Sequence, residues 1–184
     1  TRNITLKKSK IRKKYNISKE KFVVLINCGN YDFQNRKSLD TSVFAFEEFN
    51  KKYPNSLLYI HAFNVKQIND INNLVPIDKI LNIEDLLSYT KIPEKSIILN
   101  ENLLEYNEIL ELFKMSDVLL QCSKSEGFGI PILEAQLMGI PVITNKFGAM
   151  GDYTYYGISV PFLQKSYEHI GRGIWTTPDI KGIS

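Results

Sequence analysis

Cysteine is scarce in this 184-residue chain: Cys28 and Cys122 are the only two, and their spacing makes neither a C-x-x-C metal knuckle nor a disulfide framework. Free thiols in a reducing compartment fit them best. Histidine is equally sparse, with His61 inside an apolar run and His169 in a polar tail, positions that suit packing or solvent rather than catalysis. No Asp-x-Asp or comparable acid cluster occurs, so no metal is expected. No apolar run approaches the roughly 18 residues of a membrane span, and the opening residues are basic without a following apolar stretch, so neither a span nor a signal peptide is read. A soluble, cytoplasmic domain is the expectation, with peripheral contact at a membrane surface left open. Finally, no G-x-G-x-x-G follows the first strand-like run, which argues against a dinucleotide oxidoreductase.

The 43% of hydrophobic residues suffices for one core, so residues 1–184 read as a single domain with a basic lead-in over 1–20. The net charge of +3 hides an asymmetry: residues 1–21 carry nine Lys or Arg against Glu20 alone, and the remainder carries fourteen against nineteen acids. A stretch such as "KKSKIRKK" suits nucleic acid or an anionic membrane. It lacks interleaved aromatics, however, and a solvated helix before the first strand explains it equally well; no nucleic-acid partner is expected. The abrupt basic start and the close on "DIKGIS" suggest part of something longer, and the tail from about 163 reads as poorly packed.

"KFVVLINCG" is a short apolar run ending in glycine, the mark of a strand buried on both faces, and "SLDTSVFAFEEFNKKYP" then shows helical spacing with Pro54 as its stop. The alternation continues. "SLLYIHAF", "SIILN", "DVLLQCS" and "PVITN" read as strands, "ISVPF" as a candidate sixth, and "LEYNEILELFKMS" and "PILEAQLM" as helices. Strands alternating with helices imply an α/β, Rossmann-like, doubly wound parallel sheet whose ligands sit off the carboxyl ends of the strands. The polar, Asn-rich stretch 64–95 reads as loops with one or two short helices.

In "CSKSEGFGIPILEAQLMGIPV", residues 122–142, Glu126 and Glu134 stand eight positions apart in apolar, glycine-rich surroundings. The glycine turn follows a strand, Pro131 suits the first turn of a helix, and that helix is apolar except for Glu134 and Gln136, as expected of a buried one. Helical side chains lean toward the N-terminus, so Glu134 leans back toward the turn. There the amides of Gly127, Phe128, Gly129 and Ile130 are left unpaired and carry partial positive charge. Anion-binding amides beside two hydroxyl-binding carboxylates fit a phosphorylated sugar.

"SKSEGFGIPILEAQLMGIPVI" resembles the S-x-x-E-G-F-G-[LI]-P-x-L-E-A-x-x-x-G-x-P-V-[IV] signature of the retaining GT-B glycosyltransferases marked by E-x7-E (group 1, family 4-like). The resemblance extends to the strand ending in Gly29, to "NRKSLD", to "FKMSDVLLQCSKSEG" and to "GAMGDYTYYGISVPF". It implies the C-terminal, donor-binding half of a GT-B fold, metal-independent and without a cofactor beyond its UDP- or GDP-sugar substrate, with the acceptor half absent and the acceptor a glycan, lipid or protein. It implies further that Glu134 accepts from ribose hydroxyls and that Glu126 lies beside the transferred sugar. The amides of Gly127, Phe128, Gly129 and Ile130 would hold hydroxyls or phosphate, Arg36 and Lys37 the diphosphate, and Gly29, Asn30 and Asn100 would line the nucleotide. Two departures stand out: Asn30 where the family commonly has Arg after the first strand, and Ser38 where a glycine follows the basic pair. A nucleotide-sugar-binding module without turnover and a GT-B epimerase or phosphorylase remain alternatives.

Overall fold

The computed structural model of the chain describes residues 7–32, 34–64, 80–170 and 173–184. Its centre is a six-stranded, wholly parallel sheet in the order β3-β2-β1-β4-β5-β6, built from β1 (Phe22–Asn30), β2 (Ser56–Asn64), β3 (Ile97–Asn100), β4 (Val118–Gln121), β5 (Val142–Asn145) and β6 (Gly157–Val160). The doubly wound expectation therefore holds, including the candidate sixth strand. Within β1, Val23 and Leu25 face one layer while Val24 and Ile26 face the other, which is why this strand reads as an unbroken apolar run.

One layer consists of α1 (Lys8–Lys14), α4 (Tyr106–Met115) and α5 (Ile130–Leu137), whose Ile11, Leu112, Phe113, Ile132 and Ala135 pack on Leu25, Leu57, Leu119 and Val142. The opposite layer is α2 (Leu39–Lys52) with α3 (Ile83–Ser88), through Leu39, Val43, Phe46, Ile83 and Leu86. The short α3 and a 3₁₀ turn at Glu94–Ser96 agree with the reading of 64–95 where that segment is described; residues 65–79 lie outside the described residues.

Three expectations are corrected. The basic lead-in is not a solvated helix: Ile11 is buried, and Arg12, only 5% exposed, donates to the carbonyls of Met115, Lys19 and Lys21 and to Asp117 Oδ2. Lys8 reaches Asp117 Oδ1, and the Val23 amide donates to Asp117 Oδ2 at 2.7 Å, so Arg12 and Lys8 are engaged by the fold while Lys7, Lys10, Lys13 and Lys14 stay exposed. Burial works to raise the Asp117 carboxyl, but Lys8, the Val23 amide and Arg12 hold it below its ordinary range. Nor is α5 wholly buried, because it rests on the sheet along one stripe: Ile132 and Ala135 are covered, whereas Ile130 is 57% and Leu137 78% exposed.

The tail, too, is more ordered than expected. β7 (Phe162–Glu168) and β8 (Gly173–Pro178) form an antiparallel hairpin, followed by a short helix (Ile180–Ile183) against α2. Thr176 anchors the hairpin: its amide and hydroxyl donate to the Lys124 carbonyl at 2.9 and 3.0 Å, and Asn145 donates to its hydroxyl at 2.6 Å. β7 itself is almost entirely exposed.

Ser38, at the start of α2, has φ 50, in the left-handed region, and its buried hydroxyl has no partner among the described residues. The left-handed backbone costs roughly 1–2 kcal/mol for a residue with a Cβ, against roughly 0.5–1 kcal/mol of extra chain entropy lost by glycine. Ser38→Gly is therefore expected to stabilise the chain by about 1 kcal/mol, a rise in Tm of roughly 2–4 °C in a thermal melt. An unchanged or lower Tm would show that the turn is not strained.

Candidate functional site

The chain runs outward from β1 to β3 and returns to β4 on the other side of β1, so the strand order reverses between β1 and β4. A crevice opens off the carboxyl ends at such a reversal. Buried polar side chains collect along this edge: Asn27 and Asn30 from β1, His61 from β2, Gln121 and Ser123 at the end of β4, Thr144 and Asn145 from β5. An apolar sheet has no use for them except at its functional rim.

Glu126 lies at the centre of this rim. Its side chain is 7% exposed and accepts from four groups: Lys37 Nζ at 2.6 Å, Ser123 Oγ at 2.7 Å, and Arg36 Nη1 and Gln121 Nε2, each at 3.1 Å. Burial pushes its carboxyl up, but the charge and hydrogen bond of Lys37, then Ser123 and Arg36, outweigh this and leave it below the usual glutamate range. Arg36 also donates to the Ser125 carbonyl at 2.8 Å and pairs with Asp32 at 3.4 Å. The Lys124 amide donates to the Arg36 carbonyl at 2.8 Å, so the loop before α2 and the turn after β4 are stitched together. Two cations and two carboxylates make the cluster formally neutral.

The glycine turn beyond Glu126 presents what the sequence suggested. Gly129 sits at φ 75 as the cap of α5, and Pro131 occupies the first helical turn. Among the described residues, no group accepts from the amides of Gly127, Phe128, Gly129 or Ile130. The Phe128 ring, half exposed, packs against Tyr153 with centroids 5.2 Å apart. Gln136, on the other side of α5, donates to the Tyr153 carbonyl and accepts from the Tyr155 and Tyr156 amides, so it braces the loop before β6.

The remaining sequence-selected residues divide. Asn30 is buried, and its side-chain amide donates to the Leu81 carbonyl at 2.8 Å. Asn100 donates to the Tyr59 hydroxyl and accepts from the Asn102 amide, which leaves its backbone to line the edge. Gly29 lets the Tyr31 ring lie against the backbone where a Cβ would collide with it. His61 is buried between Asn27 Oδ1 and the Asn102 carbonyl, at 2.7 and 3.0 Å, and burial lowers its pKa.

Three residues escaped the sequence reading. Gln121 and Ser123 complete the Glu126 donor set; only their position at a strand end hinted at it. Tyr106, at the start of α4, stands near enough to Glu134 for that carboxylate, through hydrogen bonding first and charge second, to push the phenol pKa up. Cys28 and Cys122 are free, with burial raising the Cys28 thiol to about 12. Among the described residues no three His, Cys, Asp or Glu gather as a metal site, and no helix is long and apolar enough to cross a membrane. A groove of about 450 Å³ on the α2 side, lined by Phe22, Phe49, Leu120 and Ile158, is apolar packing surface away from this chemistry.

Comparison with known proteins shows the family and the fold. The family described as "Glycosyl transferases group 1" matches residues 7–157. The O-antigen chain mannosyltransferase RfbU of Salmonella typhimurium is 26% identical over 94% of this chain and 49% of its own length. An uncharacterized glycosyltransferase of Sulfolobus islandicus rod-shaped virus 1 is 29% identical over 65% of this chain and 31% of its own. The chain thus spans about half or less of the length of these relatives. Among solved structures, WaaG, a glycosyltransferase involved in lipopolysaccharide biosynthesis, superposes with a TM-score of 0.67 at 20% identity, covering 86% of this chain and 38% of that one. The C-terminal domain of the group 1 protein LpcC from Francisella tularensis gives 0.58 at 21% identity over 81% of this chain and 68% of that domain.

Because the folded-state pKa of Glu126 is depressed, the stability it contributes is present above the ordinary glutamate pKa and is lost as pH falls through the folded value. Glu126→Gln leaves Lys37 without its carboxylate and Arg36 with Asp32 alone, a change expected to cost about 3 kcal/mol near pH 7. The deficit should shrink as pH is lowered from 6 to 3 in parallel melts of the two proteins. A deficit that stays constant across that range would deny Glu126 its ionised, paired role.

Proposed function

Given that this chain belongs to the group 1 glycosyltransferases, we propose that it is the donor-binding half of such an enzyme, holding a UDP- or GDP-sugar for transfer with retention of configuration. The observation that carries this reading is the meeting at one sheet edge of a cation pair, the Glu126 carboxylate that holds it and four amides without an acceptor among the described residues. The unpaired amides at the start of α5 face the phosphates or sugar hydroxyls, Glu134 accepts from the ribose, and the base lies against the backbone after β3. A hexosyl group is the natural cargo, by analogy with the mannosyltransferase relative.

In the reaction, loss of the nucleoside diphosphate develops negative charge that Arg36, Lys37 and the amides stabilise without reorganising. Glu126 keeps both cations aimed at one spot; a diphosphate arriving there adds anionic oxygens to a cluster that is neutral before it binds. The sugar leaves through an oxocarbenium-like state, the acceptor attacks the same face, and the departing diphosphate takes the acceptor proton. None of these steps requires a covalent nucleophile from this chain. A binding module without turnover is the second reading, favoured only by Asn30, whose buried amide donates to the Leu81 carbonyl where the family commonly supplies an Arg. Hydrolysis of a sugar nucleotide by a protein that includes the acceptor half separates the two readings.

Calorimetric titration of the 184-residue chain with UDP and GDP tests the donor site. Glu134→Ala removes charge-assisted hydrogen bonds worth roughly 1.5–3 kcal/mol, so the nucleotide that binds should bind about 10- to 100-fold more weakly. Glu126→Ala should weaken intact sugar nucleotide more than free diphosphate. If neither nucleotide binds the unaltered chain, or Glu134→Ala leaves binding intact, the assignment fails.

A further inference from the structure

We propose that His61 is the positioning residue of the base pocket, its ring holding the Asn102 carbonyl so that the loop after β3 keeps the shape that selects one base; the inference rests on the donor-site reading above. His61 is 4% exposed near the end of β2, and the sheet register sets Asn27 of β1 beside it on one side and Asn100 of β3 on the other. Two residues earlier on the same face, the row reads Leu25, Tyr59 and Ile98, packed in the layer of α4. The polar row thus begins where the strands run out toward the crevice.

A leucine or isoleucine would fill this volume without two ring nitrogens to satisfy. Both nitrogens are satisfied here: Nδ1 lies 2.7 Å from Asn27 Oδ1, and Nε2 lies 3.0 Å from the Asn102 carbonyl. A carbonyl only accepts, so Nε2 carries the hydrogen and donates outward. Asn27 meets Nδ1 with an amide that offers an oxygen or an NH2 from one outline, so the ring needs no charge to be bonded on both sides.

The row ends in water. Asn102 is exposed, yet both its backbone groups are taken, the carbonyl by His61 and the amide by Asn100 Oδ1 at 3.1 Å. Asn100 in turn donates to the Tyr59 hydroxyl at 3.1 Å, and the Tyr59 ring is buried. Exposed loop backbone is ordinarily mobile, whereas this loop is held from below by two buried side chains of β2. One base is told from another by the polar groups that the wrong base leaves unpaired, and that penalty requires a backbone that does not shift to meet it. His61 supplies the stillness.

The test titrates UDP, GDP, ADP and CDP by calorimetry into the unaltered chain, His61→Leu and His61→Gln. His61→Leu is expected to weaken the best-bound nucleotide about 3- to 10-fold and the poorest less than about twofold, so that the spread between bases narrows. His61→Gln, whose side-chain amide still donates toward Asn102, should recover most of that spread. Asn100→Ala cuts the same chain at a half-buried residue and should narrow the spread likewise, which keeps the test open where His61→Leu does not fold. Equal binding of the four nucleotides by the unaltered chain, a uniform loss across them in the variants, an unchanged spread, or a Gln variant no better than Leu would each overturn the inference while the donor site stands. Binding of none of the four by the unaltered chain overturns both.

Discussion

A carboxylate placed under a protein surface must find protons or cations to face it, and Glu126 finds both kinds. Its four donors come from two places far apart in sequence, the loop before α2 and the end of β4, so satisfying one side chain also fixes the distance between those two segments. The Arg36 backbone adds a further tie to Lys124, and Lys124 in turn carries the hairpin through Thr176. The crevice, its cations and the hairpin beside it therefore share one electrostatic anchor. The anchor also limits what the cations offer: they are held in place, and Glu126 and Asp32 already balance their charge.

The sheet was legible because two-sided burial writes itself as unbroken apolar runs, and each of the six runs became a strand. The amphipathic stripes of α2 and α4 were equally plain. α5 misled, since an apolar composition states what a helix tolerates and not how many neighbours cover it; here one stripe meets the sheet and Leu137 faces out. The basic lead-in misled in the opposite direction. Charge density in a sequence suggests solvent, but Arg12 lies beneath it, because Asp117 and three carbonyls accept four hydrogen bonds from its guanidinium.

At the site, the acids, the glycine turn and the basic pair were readable from spacing, because backbone geometry at a strand-to-helix turn demands those residue types. Gln121, Ser123 and Tyr106 were not. Each is a common polar or aromatic residue whose role depends on a partner brought near by folding, and no local pattern marks it. Asn30 shows the same limit from the other side: adjacency to the first strand end suggested a ligand, and the folded chain buries the amide against the Leu81 carbonyl instead. The hairpin β7–β8 carries no strong alternation because one of its strands is almost bare of burial, leaving no pattern to read.

The docking of α1 sets an order of events. Arg12 bonds to Met115 and Asp117, and Lys14 to Glu111, partners roughly a hundred residues downstream. On the ribosome the first helix is made early and has nothing to close upon until α4 and the start of β4 have emerged. During that interval Ile11 stays in water and the five basic side chains of the helix repel one another. Contacts of such long sequence separation are slow to form, because the loop entropy is lost before the contact repays it. The seal on the amino end of this domain is thus a late step of its synthesis.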